Sequence, residues 1–131
     1  MNLIFDTSIL IDLEKGKAES IAKIKELCIL YPSTAYLSFV AYTEFLYGLR
    51  KKSLKNKEKA RAFLEKFNVL HTTNKTAGII VDLQIKHELP LADLFIAAQA
   101  IEHDCILVTK DKDFQMIKEL NKIFVLTKTH H

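Results

Sequence analysis

Two observations predict an α/β domain with three layers, helices covering both faces of a mostly parallel central sheet of about five strands. Strand-like runs alternate with helix-like segments along the chain, and those runs are apolar throughout rather than alternately apolar and polar. Asn2-Leu3-Ile4-Phe5 is too short for a helix and reads as a buried first strand. Thr7 or Ser8 is placed to cap a short helix from Ile9 to Leu13, and Gly16 ends that region. Apolar residues at Ile21, Ile24, Leu27 and Cys28 give Glu19 to Leu30 a helical period, which Tyr31-Pro32 stops. Ala35-Tyr36-Leu37 reads as the second strand, and Ser38 as the N-cap of a helix from Phe39 to Arg50. A further helix runs from Leu54 to Phe67, and Val69-Leu70 is a short third strand. Thr76 to His87 is helical and ends before Leu89-Pro90. Ala92 to His103 is alanine-rich and nearly uncharged after Asp93, so it should be deeply buried. Cys105 to Val108 is a fourth strand, Lys110 to Phe114 a loop, Gln115 to Leu120 a short helix, and Ile123 to Leu126 a last strand.

A chain of 131 residues suits one compact domain, expected over residues 1–129. Hydrophobic residues make up 49% and charged residues 27%, as in ordinary globular proteins. With 3 Gly and 2 Pro, long flexible linkers are not expected. Cys28 and Cys105 have no metal-ligand spacing and sit in apolar surroundings, so both are expected to be buried and reduced, in keeping with a cytoplasmic location. Asp6 and Asp12 interrupt the apolar N-terminus, which therefore does not read as a signal peptide. The near-apolar stretch from Leu91 to Ile101 is too short to span a bilayer. His130 and His131 read as a tag remnant.

The net charge of +3 is modest but unevenly distributed: Arg50 to Arg61 holds seven basic residues against one acid, Glu58. Such a run attracts a phosphate backbone, or else forms a solvated helix face. Arg50, Lys51 and Lys52 are the candidate nucleic-acid contacts.

In an open parallel sheet, ligands bind beyond the carboxyl ends of the strands. Asp6 directly follows the first strand, and Thr109, Asp111 and Asp113 follow the fourth. Glu44 lies about two turns into the helix after the second strand, and Asp93 opens the buried helix before the fourth. Taken singly, Asp6 also suits a cap, Glu44 a solvent-facing position, Asp93 a first-turn acid and Asp111 or Asp113 a turn. Taken together, they converge. Two carboxylates ~5 Å apart at an effective dielectric of ~20 repel by roughly 3 kcal/mol. A hard divalent cation, Mg²⁺ or Mn²⁺, suits an all-oxygen cluster, whereas zinc brings His or Cys at spacings not found here.

Four blocks resemble the PIN-domain nucleases, and within them the VapC-like toxins of toxin–antitoxin pairs. They are Leu3-Ile4-Phe5-Asp6-Thr7-Ser8-Ile9-Leu10, Ser38 to Gly48 with Glu44 at its centre, Leu91-Ala92-Asp93-Leu94-Phe95-Ile96-Ala97-Ala98-Gln99-Ala100, and Leu107-Val108-Thr109-Lys110-Asp111-Lys112-Asp113-Phe114. They occur in family order and span almost the whole chain. The resemblance implies a metal-dependent endoribonuclease with Asp6, Glu44 and Asp93 as site acids and Asp111 as the preferred fourth. Asp6, Asp93 and Asp111 would hold the metal, and Asp113, Thr109 and Ser8 would be auxiliary. It also implies an RNA substrate, a homodimer, and a small antitoxin laid across the active-site groove.

Gly48 lies one turn beyond Glu44 and either admits a close approach or marks a helix end. Tyr36, Phe39, Tyr42, Phe45 and Tyr47 offer stacking surfaces for bases, though core or dimer contacts are the commoner use of such aromatics. Two other functions fit the class: RNA processing without an antitoxin, and a non-catalytic RNA- or protein-binding module. The complete acid set speaks against the module. A phosphatase with a strand-end Asp would need a second Asp where Ser8 stands.

Overall fold

The computed structural model describes residues 1–32 and 35–126. Five strands form one sheet: β1 Asn2–Phe5, β2 Ala35–Ser38, β3 Asn68–Leu70, β4 Cys105–Thr109 and β5 Lys122–Phe124. Their order is β3-β2-β1-β4-β5, and every neighbouring pair is parallel. Among the described residues six helices accompany them: α1 Thr7–Glu14, α2 Ala18–Leu30, α3 Phe39–Gly48, α4 Leu54–Leu64, α5 Asn74–Lys86 and α6 Leu91–Glu102. The chain therefore steps outward from β1 through β2 to β3, then returns past β1 to add β4 and β5. Right-handed crossovers running in opposite directions place their helices on opposite faces, which gives the three layers. No helix among the described residues is long and apolar enough to cross a membrane.

The core is built where the sequence is most apolar. Leu3, Ile4 and Phe5 of β1 and all five residues of β4 are buried. Sheltered on both faces, such strands can be hydrophobic at every position. In α6, Leu94, Ile96, Ala97, Ala98 and Ala100 are buried, and Gln99 is fully enclosed with them. Its alanines let this helix approach the sheet closely.

Several local expectations need correction. The cap of α1 is neither Thr7 nor Ser8 but Asp6, whose side chain accepts from the Ile9 N–H. At the other end Gly16 adopts φ 73, the left-handed conformation that ends helices cheaply. Cys28 is exposed, whereas Cys105 is buried. The buried stripe of α2 runs Ser20, Ile24, Leu27, and position 28 falls off it together with the exposed Ile29 and Leu30. After β4 the helical turn is of 3-10 type and spans Lys112–Met116, earlier than expected, because the Asp111 side chain caps it. The basic helix α4 ends at Leu64 and α3 at Gly48, both short of the expected ends. The tag-like His130 and His131 lie outside the described residues.

Candidate active site

The sheet order makes β1 and β4 neighbours, with Phe5 opposite Val108. The chain departs from these two strands in opposite directions, and a crevice opens beyond their carboxyl ends. Asp6 leaves β1 at that edge, and Asp111 and Asp113 follow β4.

Asp6 is almost fully buried, and both of its carboxylate oxygens are engaged. Oδ1 accepts from the Ser8 hydroxyl at 2.6 Å and from the Ile9 N–H at 3.2 Å. Oδ2 accepts from the Thr109 hydroxyl. Those hydroxyls accept in turn from the backbone of the loop after β4: Lys110 N–H reaches Ser8 Oγ at 3.3 Å, and Asp111 N–H reaches Thr109 Oγ1 at 3.0 Å. Ser8 and Thr109 thus couple the first acid to the loop that bears the last two. Burial pushes the Asp6 carboxyl above its ordinary range despite these hydrogen bonds.

Asp93 stands in the first turn of α6, and Asp111 and Asp113 flank the start of the 3-10 turn. One carboxylate oxygen from each of these three lies within 4.8 Å of the others. The Asp113 N–H donates to Asp111 Oδ1 at 2.9 Å, which fixes the last two acids relative to each other. Burial, then the charges of Asp111, Asp113, Glu44 and Asp6, push the Asp93 carboxyl up to about 6. Asp6 and Glu44 stand outside the tight group of three, yet both charges act on Asp93. Glu44 is exposed on α3, and its Oε1 accepts from the Thr7 hydroxyl at 2.7 Å.

The donor set is purely carboxylate, with no His or Cys in the group. That chemistry fits a hard divalent cation. The elevated Asp93 value comes first from burial and then from the repulsion of neighbouring acids, and such a cation would offset both.

Three residues make contacts important to this arrangement that the sequence did not signal. Thr7 steadies Glu44. Gln99 accepts from the Phe39 N–H at 3.0 Å and donates to the Leu70 carbonyl at 2.7 Å, so it ties α6 to the start of α3 and the end of β3. Lys110 reaches back to Asp12 on α1 at 2.8 Å. Each depends on a partner at least 29 residues away, which no local pattern reveals.

The basic residues lie beside the site rather than in it. Arg50 donates to the Tyr47 carbonyl and stacks 3.9 Å over the Tyr47 ring. Lys52 pairs with Glu14 at 2.9 Å. Lys51 is exposed and makes no ion pair among the described residues. A groove of about 200 Å³ between α1 and α3 is lined by Glu44 and Lys52 as well as by apolar Ile11, Phe45 and Leu49. Of the aromatics, Phe45 is buried against Phe63, whereas Tyr47 and Phe39 are exposed. A Cβ at Gly48 would meet nothing within 4 Å among the described residues, so close packing does not account for this glycine, which ends α3.

A family model for the PIN domain matches residues 3–120. Ribonuclease VapC1 of Rickettsia felis is 36% identical over 140 residues, covering 98% of this chain and 99% of the relative. Ribonuclease VapC of Rickettsia bellii is 34% identical over 137 residues, covering 95% and 97%. A toxin–antitoxin complex from Klebsiella pneumoniae superposes with a TM-score of 0.76 at 29% identity, over 90% of this chain and 94% of that one. VapBC2 of Rickettsia felis, bound to a promoter DNA fragment, shares the fold with a TM-score of 0.82 at 23% identity, over 95% and 98%.

Proposed function

This chain belongs to the PIN domain family, and on that premise we propose that it is a metal-dependent endoribonuclease, the toxin of a toxin–antitoxin pair. The observation that carries the reading is the convergence of Asp93, Asp111 and Asp113 within 4.8 Å, with Asp93 held at about 6. Relatives named ribonuclease at over 30% identity across nearly the whole chain support the substrate class. The Klebsiella toxin–antitoxin complex, at 29% identity, supports an antitoxin partner.

Asp93, Asp111 and Asp113 are the metal ligands in this reading, so Asp113 takes the ligand place expected of Asp6, which stands outside the group of three, and Mg²⁺ or Mn²⁺ is the ion. A divalent cation there supplies neutralisation of a phosphate oxygen and a more acidic water for in-line attack on phosphorus. The residues of the chain do the positioning. Ser8 and Thr109 lock Asp6, so it does not reorient when charge arrives. Thr7 holds Glu44 at the rim, where its carboxylate can orient or accept a proton from the attacking water. Lys51, with Arg50 and Lys52, guides the RNA backbone along the groove toward Glu44. Attack by water with the 3′ oxygen as leaving group, breaking the P–O3′ bond, would give a 5′ phosphate and a 3′ hydroxyl. Residues 1–129 act as one domain, in the cytoplasm and as a homodimer.

The decisive measurement is cleavage of structured RNA with Mg²⁺ or Mn²⁺, with chelator and Asp93→Asn as controls. Cleavage that survives chelation, or full activity of the variant, would refute the mechanism. Growth arrest on expression, rescued by a co-expressed small partner, separates a toxin from an RNA-processing enzyme.

A further inference from the structure

Lys110 lies between two residues of the site, Thr109 and Asp111, but its side chain points away from the acids. Its Nζ donates to Asp12 Oδ2 at 2.8 Å. Asp12 is almost fully buried in α1 and also accepts from the Ser20 hydroxyl at 2.7 Å, with Lys17 3.4 Å from Oδ1. Burial alone would raise the Asp12 carboxyl. The Lys110 and Ser20 hydrogen bonds and the charges of Lys110 and Lys17 outweigh it and hold the Asp12 carboxyl below its ordinary range.

The loop after β4 is therefore fastened at two places. The backbone N–H groups of Lys110 and Asp111 run through Ser8 and Thr109 to Asp6. The Lys110 side chain fastens the same loop to α1 and, through Ser20, to α2. Between the end of β4 and the buried Phe114, the side chains that hold this loop would, without the second tether, be those around Asp6 alone, and Asp111 would have more freedom to shift.

We propose that Lys110 and Asp12 are positioning residues whose part-buried ion pair holds the Asp111–Asp113 loop at the separation from Asp93 that a divalent cation requires. This rests on the reading of those acids as metal ligands. Groups that orient ligands from behind typically contribute ten- to a hundredfold to metal affinity.

The sign of the effect separates positioning from simple electrostatics. A lysine acting only as a nearby positive charge repels the cation, so its removal would tighten metal binding. A tether that sets geometry weakens binding when it is lost. The test is Mn²⁺ titration of the full chain, followed by electron paramagnetic resonance well below the unfolding temperature. Lys110→Met should lose about tenfold or more in Mn²⁺ affinity, and Lys110→Arg, which keeps the charge and the reach, should retain most of it. The double variant Asp12→Leu/Lys110→Met replaces the pair with apolar groups, which restores fold stability without the tether. It should bind Mn²⁺ as weakly as Lys110→Met. In RNA cleavage, the Mn²⁺ concentration for half-maximal rate should rise while KM for RNA stays unchanged.

Wild-type or tighter Mn²⁺ binding by the double variant, with Asp93→Asn abolishing binding, overturns the tether and leaves the metal site standing. Failure of the wild-type protein itself to bind Mn²⁺ overturns the metal site, and the tether with it.

Discussion

Asp93→Asn is expected to stabilise the metal-free protein while destroying its response to metal. Burial and four neighbouring acids raise the Asp93 carboxyl from 3.8 to about 6. At about 1.4 kcal/mol per tenfold change in proton affinity, keeping it ionised near pH 7.5 costs up to roughly 3 kcal/mol. Asp93 is only half-buried, and solvent screening reduces this to about 1–2 kcal/mol. Asparagine forgoes the attraction of a first-turn acid to its helix, about 0.3–1 kcal/mol. The net gain is about 1 kcal/mol. With an unfolding entropy of about 2.1 cal/mol/K per residue over 131 residues, Tm rises by about 4 °C.

The pH dependence fixes the cause. Because the folded-state value is raised, the wild-type protein has this stability in full below about pH 4 and loses it as pH rises through about 6. The Tm advantage of the variant should open across that window and be level above pH 7. Scanning calorimetry with chelator measures it, and a repeat with Mn²⁺ should reverse the ranking, since only the wild-type protein gains from the ion. A lower Tm for Asp93→Asn in chelator, or a constant difference from pH 4 to 7, would refute the reasoning.

Thr109→Val removes a donor from the buried Asp6 and should cost about 1–3 kcal/mol in urea unfolding, with cleavage lost as well. Gln99→Leu leaves the Phe39 N–H and the Leu70 carbonyl without their partner, for a loss of about 2–4 kcal/mol. Lys51→Glu should weaken RNA binding and flatten its dependence on salt more than Lys52→Glu, because Lys52 already pairs with Glu14. Filter binding across a salt series distinguishes the two.

The fold was legible because its strands are short apolar runs and its central helix is rich in alanine. β1 begins and ends where the sequence places it, and Ser38 caps α3 as its position suggests. Legibility failed where one residue serves two purposes or where a partner is distant. Asp6 reads from sequence as a site acid or a strand-end cap, and Thr7 and Ser8 beside it compete for the cap of α1, which the Asp6 carboxylate in fact supplies. Cys28 shares a helical spacing with Ile21 and Ile24 but falls outside the stripe that faces the core, and spacing alone does not say which edge of an apolar face is buried. The converging acids were visible as strand-end residues. Their supports Thr7, Gln99, Asp12 and Lys110 were not, because a hydrogen bond to a residue far along the chain leaves no periodic trace.

The pairing of β1 with β4 also has a consequence in time. Asn2 lies opposite Cys105, so β1 waits about a hundred residues of synthesis before it gains that neighbour. Asp6 and Glu44 leave the ribosome well ahead of Asp111 and Asp113, since 67 residues separate Glu44 from Asp111. A nascent chain cut short before Thr109 has neither the hydroxyl that steadies Asp6 nor two of the three clustered acids. Synthesis itself thus acts as a delay: the cluster of Asp93, Asp111 and Asp113 cannot assemble until β4 and the turn after it have been translated.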